Sequence, residues 1–158
     1  MKELTHKQAC RRMAGWLKMT KNHKVVITEL STAAGETPDV LSFHNGCSTT
    51  LIEVKVSRSD FLADKHKTFR RDTERGMGMY RYFAAPKGML KADEMPEGWG
   101  LYEFDDRFVT EIKKSERHTP NRDSEIIVLV SVMRRLEIAT CVYVVSEGEP
   151  QREGAGDE

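Results

Sequence analysis

The sequence predicts an α/β (α+β) domain on a four-stranded mixed sheet: an antiparallel meander, a crossover helix, then a strand parallel to the third. Three observations predict it. Short β-branched runs at 25–30, 40–43 and 51–56 are separated by turn residues, as in a meander. A helix-like segment follows the third run and leads into a fourth apolar run, 79–84, and strand–helix–strand order favours a crossover with parallel pairing. A length of 158 residues suits one core and no more.

The elements follow in order. Thr5 to about Asn22 reads as a helix, with Leu4, Ala9, Met13, Trp16 and Leu17 as its apolar stripe. Val25 to Leu30 is a strand, ended by the loop Ala33-Ala34-Gly35-Glu36-Thr37-Pro38. Val40 to Phe43 is the second strand, Asn45-Gly46 a turn signal, and Leu51 to Val56 the third strand. Ser57 or Ser59 can cap a helix running to about Glu74, which Gly76 and Gly78 break. Met79 to Ala84 is the fourth strand, stopped by Pro86. Trp99–Phe104 and Arg107–Ile112 read as a peripheral hairpin around Asp105-Asp106, and Asp123 to about Ala139 as a closing helix. Residues 1–145 make a single domain, and 146–158 an acidic, disordered tail.

Composition narrows the function classes. With 39% hydrophobic and 32% charged residues the chain matches ordinary globular proteins, and it has no apolar run of membrane-spanning length. Cys10, Cys47 and Cys141 are odd in number, distant and without a Cys-x-x-Cys pair, which predicts a cytoplasmic protein without a disulfide framework or a zinc site. The five histidines, His6, His23, His44, His66 and His118, lack ligand spacing and read as surface residues. Formal charge is zero but uneven: nine Lys/Arg against four acids from Lys55 to Lys87, and seven against one from Met1 to Lys24. A basic body suits a polyanion, although a solvated mixed surface gives the same counts.

The third strand holds the informative pattern. With a period of two, Leu51, Glu53, Lys55 and Ser57 share one face, and Ile52, Val54 and Val56 the other. Glu53 and Lys55 then stand side by side, and a carboxylate beside an amine can hold a divalent cation and position water. Antiparallel pairing about Gly46, with partner numbers summing to 92, sets Asp39 opposite Glu53. A strict two-residue turn at Asn45-Gly46 gives 91 and the wrong face, so an odd-length loop or a bulge is expected. Pairing about Ala34 likewise sets Glu29 opposite Asp39, aligning three acids across three strands. Oxygen ligands without a His or Cys cluster indicate Mg²⁺ or Mn²⁺.

Pro38-Asp39, followed fourteen residues on by Glu53-Val54-Lys55, resembles the signature of the PD-(D/E)XK nuclease superfamily. More narrowly, Glu53-Val54-Lys55 running on through Ser57-Arg58-Ser59-Asp60-Phe61 to Asp64-Lys65, with Tyr82-Phe83-Ala84-Ala85-Pro86 later, resembles the MmcB-like DNA repair proteins or a phage relative. The resemblance covers about Val25 to Lys113 and implies a restriction-endonuclease-like core hydrolysing DNA phosphodiester bonds, in repair or in phage or mobile-element DNA processing. It implies Asp39, Glu53 and the Val54 carbonyl as metal ligands, Lys55 as the catalytic lysine and Glu29 as a metal-associated acid. The chain departs from the MmcB-like pattern in having Gly35-Glu36-Thr37-Pro38-Asp39 in place of Gly-Arg-Arg-Ala-Asp, and Val56-Ser57 where Ser-Ser is common.

Arg58, Lys65, Lys67, Arg70 and Arg71 are the expected DNA-binding residues; a solvated helix face paired to Asp64, Asp72 and Glu74 is the plainer account of the helix cations. Tyr80, Tyr82 and Phe83 suit base stacking or, for Phe83 above all, core packing. The expected partners are DNA, with RNA left open, and a repair or phage replication protein. The rival reading is a catalytically silent nuclease-fold module that binds DNA or such a protein.

Overall fold

The computed structural model describes residues 4–64 and 76–137. Helix α1 spans His6–Met19. Thr5 and Gln8 form a reciprocal capping box at its start, so orphan amide donors of the first turn are satisfied. Strands β1 (Val25–Thr28), β2 (Val40–Phe43) and β3 (Thr49–Val54) form the expected antiparallel meander. Helix α2 is described over Arg58–Asp64, and Ser57 Oγ accepts from the Asp60 amide, the capping role expected of it. Strand β4 (Tyr80–Pro86) pairs parallel with β3, as a crossover requires. The predicted continuation of α2 to Glu74 and the tail 146–158 lie outside the described residues.

The sheet has six strands, not four, in the order β1-β2-β3-β4-β5-β6. The hairpin expected at the periphery continues the sheet: β5 (Gly100–Phe104) pairs parallel with β4, and β6 (Val109–Lys113) antiparallel with β5. The cause is visible at Gly100, where a Cβ would stand 2.4 Å from the Tyr82 ring and 2.7 Å from the Lys113 carbonyl oxygen. Only bare backbone lets β5 close against β4 there. The connection from β4 to β5 contains a short 3₁₀ turn, Ala92–Glu94.

Both sheet faces are covered, so β3 is buried along its whole length. On one face α1 packs Ala9, Cys10, Met13 and Leu17 against Val40, Ile52, Val54, Tyr82 and Ala84. On the other, Phe61 of α2 and Val128 of α3 (Arg122–Arg135) pack with Leu41, Leu51, Phe83 and Leu101. Phe83 lies edge-on to Phe61, with ring centroids 5.2 Å apart, and Tyr82 stacks on Tyr102 at 4.1 Å. Both are core residues, so stacking on bases is not open to them; Tyr80 is half-buried.

Helix α3 is tied to the sheet by a buried carboxylate. Glu125 accepts from the Thr49 hydroxyl (2.7 Å), the Gly78 amide (2.9 Å) and the Arg122 guanidinium (2.7 Å). Gly78 sits at φ 86°, and a Cβ on it would lie 2.6 Å from that of Leu51. A glycine is needed there for both reasons. None of the helices among the described residues is long and apolar enough to cross a membrane.

Candidate functional site

The site is built where β1, β2 and β3 end together. Val40 pairs with Ile52 and Leu41 with Leu51, so partner numbers sum to 92 and the next step sets Asp39 beside Glu53. The turn that fixes this register is odd in length. His44 N–H donates to the Ser48 carbonyl, enclosing Asn45, Gly46 and Cys47, with Gly46 and Cys47 both left-handed (φ 81° and 62°). Thr28 pairs with Val40, and Glu29 N–H donates to the Asp39 carbonyl at 3.1 Å. Glu29, Asp39 and Glu53 therefore occupy matching register positions across three strands, with Glu29 one residue beyond β1 in a left-handed conformation (φ 48°).

Asp39 is anchored by backbone. Its Oδ2 accepts from the Val54 amide at 2.8 Å. A strand residue points its N–H and C=O to the same side, so the Val54 carbonyl is also directed towards the strand edge where Asp39 sits. Loop 33–38 leads into Asp39, and Glu36 accepts from the Met77 amide at 2.9 Å, fixing that loop against the segment before β4.

Glu53 and Lys55 stand on the same face as Leu51, turned towards α2, and both are buried, at 4% and 3% exposure. The Lys55 amide donates to Ala84, continuing the ladder one residue beyond β3. Its Nζ lies 3.9 Å from Glu53 Oε2 and 3.9 Å from Asp60 Oδ2. Asp60, in the first turn of α2, is a neighbour that strand periodicity alone does not reveal. Arg58 is half exposed, ion-paired with Glu94 and donating to the Met89 carbonyl at 3.2 Å. The pairing holds the Glu94 carboxyl down to about 2. The other expected DNA-binding residues, Lys65, Lys67, Arg70 and Arg71, lie outside the described residues.

Two further groups reach the site from α1, and sequence reasoning missed both. His6 Nε2 is 3.3 Å from Asp39 Oδ2, and its Nδ1 is 3.5 Å from Glu29 Oε1. His6 is thus a site residue rather than a plain surface one. Cys10 Sγ lies 3.7 Å and 3.8 Å from the two nitrogens of the same ring. Burial, and then the charges of Asp39, Glu29 and Glu53, push the Cys10 thiol up to about 12. The signal in the sequence is the i,i+4 spacing of His6 and Cys10, which puts both on one helix face. That α1 lies over the acids is a tertiary fact.

No protein-family model matches the chain. No curated protein is significantly similar to it. A solved structure of similar fold is the SPO1766 protein of unknown function from Silicibacter pomeroyi, with a TM-score of 0.64 and 21% identity over 85% of this chain and 91% of that one. At that identity the likeness speaks for the fold alone.

Proposed function

We propose that the chain is a Mg²⁺- or Mn²⁺-dependent nuclease hydrolysing DNA phosphodiester bonds, in repair or in phage or mobile-element DNA processing. One observation carries the reading: the strand register that aligns Glu29, Asp39 and Glu53 beside a buried Lys55. Asp39, Glu53, the Val54 carbonyl and Glu29 offer hard oxygens suited to such an ion, while the expectation of no His or Cys cluster nearby is corrected by His6 and Cys10 beside Asp39. A bound ion supplies an activated water and a counter-charge for the phosphoryl oxygens.

The chain's own residues do the rest. Asp39 has one oxygen committed to the Val54 amide, so its carboxylate is oriented before any ligand arrives. Glu53 is positioned by the pleat of a strand buried on both faces. Lys55, between Glu53 and Asp60, carries the ammonium that orients the attacking water or offsets charge on the transition state. Burial strengthens each of these interactions by excluding water. One observation favours the rival reading, a silent DNA-binding module: His6 already stands against Asp39.

Incubation with single-stranded, duplex and branched DNA, in Mg²⁺, Mn²⁺ or EDTA, tests the proposal beside Lys55→Ala and Glu53→Gln. Metal-dependent cleavage that disappears in both variants supports it. Absence of cleavage on every substrate, from protein shown to be folded, overturns it in favour of the binding module.

A further inference from the structure

We infer that His6, Cys10 and Asp39 form a second kind of metal site, one for a thiolate-accepting divalent ion of tetrahedral preference such as Zn²⁺. Among the described residues, these three side chains bring one ligand atom each within 4.8 Å of one another. The inference does not rest on the nuclease reading, although Asp39 as a ligand and Glu29 as a supporting carboxylate are common to both.

Two of the ligand-to-ligand distances suit such an ion, and the third lies within 4.8 Å. Bonds of about 2.0–2.1 Å to nitrogen and oxygen and about 2.3 Å to sulfur, at tetrahedral angles, separate N from O by about 3.3 Å and N from S by about 3.6 Å. His6 Nε2 lies 3.3 Å from Asp39 Oδ2 and 3.8 Å from Cys10 Sγ. Because Sγ is almost equidistant from both ring nitrogens, a rotation of the His6 side chain is what brings the Nε2 lone pair into line. The two helical ligands are spaced i,i+4, the spacing at which paired side chains on one helix face hold zinc.

A second partner supports the assignment. In the observed rotamer His6 Nδ1 lies 3.5 Å from Glu29 Oε1. With the ring turned so that Nε2 meets the metal, that carboxylate is the nearby partner for a carboxylate–histidine–metal arrangement, which fixes the tautomer and strengthens the imidazole as a ligand. His6 and Asp39 are partly exposed while Cys10 is fully buried, so the fourth position opens towards solvent on the His6 and Asp39 side. Imidazole, thiolate and one carboxylate select a borderline-soft ion over Mg²⁺. Binding forms a metal–sulfur bond in place of the Cys10 S–H bond, and the proton leaves to solvent.

Co²⁺ titration of the reduced, chelator-stripped full chain, followed by Zn²⁺ displacement, tests the site. The expected result is a thiolate-to-cobalt charge-transfer band with intense visible bands of tetrahedral cobalt, both removed by Zn²⁺. The sulfur band is lost in Cys10→Ser and kept in Cys47→Ser and Glu53→Gln. Glu29→Gln weakens binding about 10-fold or more through the lost support of His6. If Cys10→Ser fails to fold, His6→Gln decides: a large loss of cobalt affinity supports the site, and unchanged affinity overturns it. A weak octahedral spectrum without a sulfur band, or a sulfur band surviving Cys10→Ser, also overturns it. Intact Mg²⁺-dependent cleavage beside a missing sulfur band removes this site and leaves the nuclease reading standing.

Discussion

Asp39 has one structural role and one proposed role at a metal, and substituting it twice distinguishes them. Its Oδ2 accepts from the amide of Val54, a fully buried β3 residue packed beneath α1. Asp39→Ala leaves that donor without its partner. A buried donor stripped of its acceptor costs about 1–3 kcal/mol, and a charged acceptor puts the loss near the middle, about 2 kcal/mol. For a chain of 158 residues each kcal/mol moves the midpoint by about 2–4 °C, so Tm falls by about 4–8 °C. Asp39→Asn keeps an oxygen at the same position and loses only the charge assistance, so its Tm falls by about half as much. On the proposed nuclease reading both variants lose metal-dependent cleavage, because neither a methyl group nor an amide replaces a carboxylate ligand. The assay is thermal unfolding by circular dichroism in EDTA, followed by the DNA cleavage assay. An Asp39→Ala protein that melts with the wild type would refute the anchoring of Asp39 by the Val54 amide. Full cleavage by Asp39→Asn would refute its place at the metal.

Three further outcomes are expected. Glu125→Ala removes three hydrogen bonds from a buried carboxylate and destabilises the fold by about 3–5 kcal/mol, measured by urea unfolding; a loss below about 1 kcal/mol would mean that α3 is not held by this carboxylate. In native, metal-free protein at neutral pH, iodoacetamide modifies exposed Cys47 well before buried Cys10, whose thiol is held neutral by burial and neighbouring carboxylates; equal labelling by peptide mapping would contradict that packing. Glu94 stays ionised down to about pH 2 while paired with Arg58. Its folded value lies below its unfolded one, so the pair's stabilisation is present above the unfolded value and is lost as pH falls through about 2. Carboxyl NMR titration should show the Glu94 midpoint rising in Arg58→Ala but staying below the ordinary range, because the Lys91 amide still donates to Glu94.

What the sequence determined was local and periodic. The β-branched runs, the Ser57 cap, and the two-residue period that sets Glu53 and Lys55 together follow from side-chain sterics and strand geometry. The alignment of the three acids was also legible, because a hairpin's register is arithmetic once the turn length is known. The need to keep Asp39 on the face of Glu53 demanded the odd-length turn at Asn45–Cys47. Only the tertiary structure decided the rest. The β5–β6 hairpin was readable as a hairpin, but its parallel docking on β4 depends on a contact between Gly100 and Tyr82, eighteen positions apart, which no local period encodes. The helix face bearing His6 and Cys10 was likewise readable. Its placement over Asp39 and Glu29 comes from the burial of Ala9, Met13 and Leu17 against β2 and β3, because apolar area is non-directional and only the packed whole fixes what its polar neighbours meet.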